Sequence, residues 1–270
     1  MREIYKCPVC GAGMAIDRCE STAVCPAGHS FDRARQGYFN LLRAGTRGDN
    51  RIMTEARRRF LEKGHYRPLA DAVAARAAEG MCSGGVLLDA GCGTGYYTDL
   101  IQRTVSLRYP DSVVVGIDIS REAVRAAAVI NRSIIALCAG VYDMPLMDGV
   151  VRTAVNVSSP LADAEYRRVI APGGYLILVC PGRRHLFGLK RVLYDDPYEN
   201  EERDDALPGF DILSLDRIRF DLRLQNRDAE DLFTMTPYFY RTGDAGRARL
   251  AATDMLETEA EFRLIFYRRT

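Results

Sequence analysis

The chain has no run of about eighteen consecutive apolar residues, the length a membrane-spanning helix requires. That excludes an α-helical membrane protein. Lysine is nearly missing as well: Lys6, Lys63 and Lys190 are the three, so almost all positive charge is arginine. A planar guanidinium suits phosphate and base edges better than an ammonium does, although a genome rich in G and C produces the same bias. Met1-Arg2-Glu3-Ile4 runs straight into a cysteine cluster and leaves no room for a secretory leader. The expectation is a cytosolic chain, and in a reducing compartment paired cysteines favour metal ligation over disulfides.

What is present points to one large α/β domain with a small appendage, since 270 residues at 47% apolar composition can bury a sizeable core. The net charge of +1 hides an asymmetry. Residues 1–70 carry thirteen Lys/Arg against seven Asp/Glu, a balance of +6, which leaves −5 for the remainder. A basic head of this kind is suited to a polyanion.

The head also carries a ligand pattern. Cys7-Pro8-Val9-Cys10 is a tight knuckle, and Cys25-Pro26-Ala27-Gly28-His29 follows after fourteen intervening residues. Two knuckles converging from separate hairpins supply four tetrahedral ligands, so Cys7, Cys10, Cys25 and His29 are expected to hold a structural Zn2+. Gly11 and Gly28 fit the turns, while Cys19 lacks a partner at knuckle spacing. A segment of about thirty residues has too few apolar groups to fold without such a staple. Cys82, Cys92, Cys138 and Cys180 stand singly and read as small buried side chains.

Phe31, Tyr38 and Phe39 are mixed with Arg33 and Arg35, a combination suited to stacking on unpaired RNA bases; packing within the zinc module is the plainer use of any one ring. Residues 43–53 read as a basic linker, Thr54 as the N-cap of a helix closed by Gly64, and His65 to Pro68 as a bend, after which an alanine-rich helix runs to about Glu79. Arg57, Arg58 and Arg59 run around the first helix and cannot share one face. The resulting division is a zinc-binding domain suited to RNA at 1–42, a basic linker and helices at 43–80, and the large α/β domain at 81–270.

Val86-Leu87-Leu88-Asp89 is a short buried strand, followed by Gly91, Gly93, Thr94 and Gly95 and a helix opening at Tyr96. Glycines at this spacing bring the backbone close to a nucleotide cofactor at a helix N-terminus. The next strand, Val113 to Asp118, ends in an acid suited to two ribose hydroxyls, and Ser120 caps the helix after it. The loop form Asp-Ala-Gly-Cys-Gly-Thr-Gly resembles the S-adenosyl-L-methionine fingerprint, which favours a class I (Rossmann-like) methyltransferase over a dehydrogenase. The acid that often follows the next strand, near Gly140, is not found in the expected place. The strand ending at Ser158-Ser159-Pro160 lies beside the methyl-transfer point, and Cys180 to Leu186 projects from a strand end where ligands bind in open α/β sheets.

Taken together, the chain resembles the bacterial 23S ribosomal RNA guanine-N1 methyltransferase family, which includes macrolide-resistance members. The resemblance rests on C-P-V-C with C-P-A-G-H-S-F-D, G-Y-F-N-L-L, F-L-E-K-G-H-Y-R-P-L at 60–69, D-A-G-C-G-T-G-Y-Y-T, A-P-G-G, P-G-R-R-H-L and M-T-P-Y at 235–238. It implies zinc at Cys7, Cys10, Cys25 and His29, and S-adenosylmethionine contacts from Tyr66, Gly93, Thr94, Asp118 and His185. It further implies a guanine in a domain II hairpin of 23S rRNA as target, and a homodimer. The Ser158-Ser159-Pro160 segment departs from the apolar or aromatic residue the family often places before its proline.

The expected chemistry is direct attack by an unpaired or flipped guanine N1 on a sulfonium methyl. N1 must lose a proton; His185 is a candidate by position, but no carboxylate announces itself and no catalytic base is assigned. Asp118 and Asn156 are expected to make the pocket mildly electronegative. A small-molecule methyltransferase with a structural zinc head, or a non-catalytic RNA-binding protein, are the competing readings. The stretch Glu199 to Asp205 reads as a solvated acidic loop, and Leu256 to Tyr267 as a terminal strand closing the sheet.

Overall fold

The computed structural model describes residues 3–16, 21–43, 50–202 and 204–270. Two small hairpins begin the chain: β1 (Tyr5–Lys6) with β2 (Gly13–Met14), and β3 (Thr22–Val24) with β4 (Ser30–Asp32). A third short strand, β5 (Phe39–Asn40), leads to α1 (Arg51–Glu62) and α2 (Arg67–Glu79). Strands and helices then alternate: β6 (Val86–Ala90), α3 (Tyr96–Arg108), β7 (Val113–Asp118), α4 (Arg121–Ile130), β8 (Ile134–Cys138), β9 (Val151–Val157), α5 (Asp163–Val169) and β10 (Ile170–Pro181). The C-terminal part holds α6 (Phe187–Leu193), β11 (Phe210–Gln225), α7 (Asn226–Thr234), α8 (Tyr238–Arg241), α9 (Asp244–Ala251) and β12 (Met255–Arg269). Among the described residues no helix is long and apolar enough to cross a membrane.

One eight-stranded sheet runs in the order β11-β12-β10-β9-β6-β7-β8-β5. From β10 to β5 all pairings are parallel, and β12 is antiparallel to both β10 and β11. This is the Rossmann-like architecture that the strand runs imply. The central strands β6 (Val-Leu-Leu-Asp-Ala) and β8 (Ile-Ile-Ala-Leu-Cys) are buried at every position, because helices cover both faces of a parallel sheet. Alternate side chains then serve different cores. Leu87, Val114, Val155 and Ile177 meet Leu69, Val73 and Ala77 of α2 on one face. Val86, Leu88, Val115 and Leu176 meet Tyr166 and Val169 of α5 on the other.

That second core is shared with the head. Tyr5, Cys7, Met14, Phe39 and Leu41 pack in the same cluster as Leu137, Met144 and Leu146. Burial of a ring such as Phe39 contributes about 2–3 kcal/mol. Phe39 pairs with Leu137 and Asn40 with Cys138, the Lys6 N–H donates to Pro145 O (3.1 Å), and Met147 N–H donates to Ile4 O (2.9 Å). Tyr38 and Phe39 are therefore committed to packing, and Phe31 packs partly against the same cluster. The stacking role weighed for these rings does not survive the burial of Tyr38 and Phe39.

Helix α1 begins earlier than the sequence suggests. Asn50, not Thr54, is the N-cap: its side chain accepts from Met53 N–H (2.9 Å), while the Thr54 hydroxyl turns back to Asn50 O (3.1 Å). Residues 51–53 are thus helix rather than linker; 44–49, like Cys19, lie outside the described residues. The three arginines do diverge. Arg57 donates to Met235 O, Arg58 pairs with Glu62, and Arg59 forks onto the buried Asp231 of α7. Lys63 and His65 add a second tie, to Asp228. Of the lone cysteines, Cys92 and Cys138 are buried, Cys180 is half-buried and Cys82 is exposed, since Cys82 sits in the turn between α2 and β6.

Candidate active site and zinc centre

The four predicted ligands converge. Cys7 Sγ lies 3.7 Å from His29 Nδ1, Cys25 Sγ lies 3.4 Å from the same nitrogen, and Cys10 Sγ lies 3.8 Å from Cys25 Sγ. All four ligand atoms fall within 4.8 Å of one another. Zinc–sulfur bonds of about 2.3 Å at tetrahedral angles place sulfurs about 3.8 Å apart, and a nitrogen ligand about 3.5 Å from each sulfur. The donor set therefore fits zinc in chemistry and in size. The local fold follows from the turns: Gly11 N–H donates to Cys7 O and Gly28 N–H to Cys25 O, both glycines having positive φ (76° and 83°). Cys25 N–H donates to His29 O and closes the second knuckle.

The glycine loop stands at the C-terminal ends of β6 and β7. Gly91 and Cys92 N–H both donate to Ile117 O (2.8 and 2.9 Å). Asp118 accepts from Gly93 N–H at Oδ2 (2.9 Å) and from Ser120 N–H at Oδ1 (2.8 Å). The acid at the end of β7 thus braces the loop as well as facing the cavity. A Cβ on Gly95 would lie 2.8 Å from Ala127 Cα, so this glycine lets α3 and α4 approach. A Cβ on Gly93 would meet nothing within 4 Å, leaving its backbone open to a ligand. Ser120 caps α4 through Ala123 N–H. Asp89 is buried and accepts from the Thr98 hydroxyl (2.6 Å); burial pushes its carboxyl up to about 7.

Beside this loop opens a cavity of about 1250 Å³. Tyr66, Gly91, Gly93, Thr94, Asp118 and His185 all lie on its wall, whereas Gly95 stands behind the loop against α4. Tyr66 comes from the turn before α2, its ring held edge-on by Phe60 (5.1 Å) and Phe262 (5.2 Å). Its hydroxyl is buried with no protein partner, as is that of Tyr96 on the same wall. Both residues belong to the cavity wall, so each hydroxyl is a spare donor for a ligand rich in carboxylate and hydroxyl groups, as S-adenosylmethionine is.

His185 has a defined role as a donor. Its Nδ1 accepts from Glu261 N–H (3.3 Å), and burial, then the Lys190 charge, lowers its pKa to about 3. The neutral ring therefore carries its proton on Nε2. It cannot serve as the base considered from sequence, because its accepting nitrogen is occupied and it does not become charged near neutral pH. Asn156 differs from expectation too. It is fully buried: Oδ1 accepts from Ser159 N–H (2.9 Å), and Nδ2 donates to Pro160 O (3.1 Å) and Tyr166 Oη (2.9 Å). With every polar atom used, it shapes the Ser158–Pro160 turn instead of charging the pocket; Ser158 takes φ 54°, a strained value for a side-chain-bearing residue.

Several wall residues come from far along the chain and had no local signal: Arg43, Arg57, Tyr198, Asn200 and Tyr240. Asp143, three residues past Gly140, also reaches the wall and lies 3.9 Å from Lys6 of the head, so an acid does stand on that side of the site. Only Met235 to Tyr238 was marked, by its M-T-P-Y motif. The acidic stretch is not a free loop: Glu199 pairs with Arg183 and Arg184, Glu202 with Arg217, and Asp205 with Arg263.

A parallel sheet with a glycine loop after one strand and a ribose-type acid after the next defines a Rossmann-like nucleotide-cofactor domain, and likeness to known proteins makes it a methyltransferase. A methyltransferase-domain family model matches residues 82–134, and a zinc-ribbon model described as "RlmA, N-terminal" matches residues 5–46. A candidate type II methyltransferase structure from Anaeromyxobacter dehalogenans shares the fold, with a TM-score of 0.50 at 21% identity over 73% of this chain and 94% of that one. The 23S rRNA (guanine(748)-N(1))-methyltransferase of Streptomyces fradiae is 35% identical over 86% of this chain and 84% of its own length. A candidate 23S rRNA (guanine-N(1)-)-methyltransferase of Micromonospora griseorubida is 36% identical over 97% and 96%. The chain belongs to the 23S rRNA guanine-N1 methyltransferase family.

Proposed function

We propose that this protein transfers a methyl group from S-adenosylmethionine to N1 of one guanine in a domain II hairpin of 23S rRNA, working in the cytoplasm as a homodimer. The observation that carries the reading is the continuity between head and cavity. A cleft of about 260 Å³ beside the zinc knuckle is lined by Lys6, Cys7, Cys10 and Arg43, and Arg43 and Asp143 also line the cofactor cavity. RNA phosphate held at the head by Lys6 and Arg43 is thereby brought to the cavity mouth, while contacts inside select the base. Residues 1–42, with Arg43 beside them, supply this grip; 43–80 roof the cavity through α1 and add Tyr66; and 81–270 supply the rest of the cofactor site.

Tyr66, Gly91, Gly93, Thr94, Asp118 and His185 would hold S-adenosylmethionine, with Gly95 setting the loop's approach to α4. When bound, the cofactor supplies an electrophilic methyl on a sulfonium. Asp118 suits the ribose hydroxyls, and the Tyr66 hydroxyl and His185 Nε2–H suit acceptors at the other end. The N1 proton leaves to water at the open mouth, because His185 is a donor and Asp118 is braced by two backbone amides. The enzyme's contribution is orientation and exclusion of competing atoms.

The test is methyl transfer from labelled S-adenosylmethionine to protein-free 23S rRNA from cells lacking the gene, with the modified nucleotide mapped by mass spectrometry. One N1-methylguanosine in that hairpin is expected. No transfer by a protein that binds the cofactor would remove the rRNA reading.

A further inference from the structure

The cavity is larger than its cofactor requires: about 1250 Å³, against roughly 300–1,000 Å³ for a site holding one small ligand. Gly91 to Thr94 and Asp118 occupy the part over β6 and β7. The far part, past β10 and β12, is walled by Tyr198 and Tyr238. Tyr198 is 48% exposed, and Tyr238 is half-buried at the start of α8.

Behind these rings lies Lys190 of α6, whose side chain is fully buried. Among the described residues it has no ion-pair partner. Its Nζ donates to Tyr198 O (2.9 Å) and Asn200 Oδ1 (2.7 Å), and stands 4.1 Å from the Tyr198 ring centroid and 5.7 Å from that of Tyr238. Tyr194 closes the cluster, 5.8 Å from Tyr198 and 6.3 Å from Tyr238. A buried ammonium with no carboxylate in contact is unfavourable unless oxygen acceptors, ring faces and a nearby charge, such as that of Glu199, replace water. Here they do, and the cation in turn draws π density from the rings. Electron-poor rings stack well on an electron-rich purine, and guanine is the most electron-rich of the bases. The same lysine fixes the cavity's midpoint, since Asn200 Nδ2 donates to Gly182 O (2.9 Å) and His185 O (3.4 Å), in the turn that presents His185.

We propose that Tyr198 and Tyr238, backed by Lys190, form the stacking subsite that receives the target guanine after it leaves its helix or loop. Lys190 is a positioning residue, acting through the rings and through Asn200. The inference rests on the rRNA-methyltransferase reading.

The experiment uses the full-length zinc-loaded protein, S-adenosylmethionine and protein-free 23S rRNA lacking the modification. Tyr198→Leu is expected to lower single-turnover methyl transfer roughly tenfold to a hundredfold, the range set by loss of one base–aromatic stack. Tyr198→Phe keeps the ring and is expected to stay near the wild-type rate. Calorimetric S-adenosylmethionine affinity is expected to be unchanged in both. Lys190→Met is expected to slow transfer in the wild-type background and much less in the Tyr198→Leu background, a coupling that general loosening of the fold would not produce. Wild-type transfer by Tyr198→Leu overturns the proposal. An equal loss of cofactor affinity also overturns it, by assigning the ring to the cofactor. Failure of the wild-type protein to methylate the rRNA is a different result and sinks the functional reading beneath it.

Discussion

The head and the sheet solve the same problem by different means. Strands in the head are two or three residues long; those of the sheet have five to sixteen, apart from β5, which the head contributes. Short strands bury too little apolar surface to offset chain entropy, so four side chains on one metal do it instead. The sheet needs no such staple, because β6 and β8 are buried throughout. Yet the head is not self-sufficient even with its metal. Tyr5, Met14, Phe39 and Leu41 complete their burial only against Leu137, Met144 and Leu146. Removing the head would therefore also strip one side of the cofactor cavity, where Leu41, Leu42 and Arg43 stand.

The hardest blow to this arrangement is loss of the metal. Cys7→Ser, or chelation, is expected to unfold the head, since structural zinc sites contribute about 10–16 kcal/mol of apparent binding energy. Metal analysis and limited proteolysis would show the unfolding, and rRNA methylation is expected to fall at least a hundredfold, a loss of about 2.7 kcal/mol or more. Cofactor affinity is expected to fall by a smaller factor. Full methylation by a zinc-free protein would mean that the head contributes nothing to recognition.

A blow confined to the sheet is milder. Asp118→Ala removes the brace on Gly93 and Ser120 together with the ribose acceptor. S-adenosylmethionine affinity by calorimetry is expected to drop about 10- to 100-fold, as charge-assisted hydrogen bonds of about 1.5–3 kcal/mol imply. Zinc content should be unaffected, and a change in it would show the two regions to be more tightly coupled than their contacts suggest.

A third effect appears only in acid and touches stability, not catalysis. His185 is neutral in the folded protein, with its pKa lowered to about 3, and titrates near about 6.5 when unfolded. Between those values the unfolded chain binds more protons, so this group's contribution to stability is present above about pH 6.5 and is lost as pH falls toward 3. Thermal melts of His185→Gln are expected to show a shallower acid slope than wild type, with the head's zinc ligands untouched. An activity profile with a step near pH 6.5 that vanishes in His185→Gln would show that the ring titrates after all.

Much of this was legible in the chain. Apolar runs at 86–90 and 113–118 identified their strands because a doubly covered sheet demands continuous hydrophobicity, and Ser120 announced its helix by its short acceptor side chain. The metal site was legible because ligand spacing is nearly its whole geometry. Other parts were not. Strand β11 is mostly exposed, and only its second half, Ile218 to Gln225, carries the apolar–polar alternation of a strand; its first half is held by the ladder that β12 offers. The acidic stretch looked solvated because its arginine partners, Arg217 and Arg263, are distant in sequence. Tyr198 and Lys190 were invisible as a pair, since only the fold puts an ammonium against that ring.

Strand β5 also has a bearing on solubility. Its two residues cover Leu137 and Cys138, the outermost parallel pairing of the sheet. With the zinc knuckles collapsed, that cover would lift away and leave unpaired amides and carbonyls beside apolar side chains. Exposed edges of this kind template aggregation. Metal supply would then decide whether newly made protein stays monodisperse or clumps, so a cell short of zinc would lose the molecule itself.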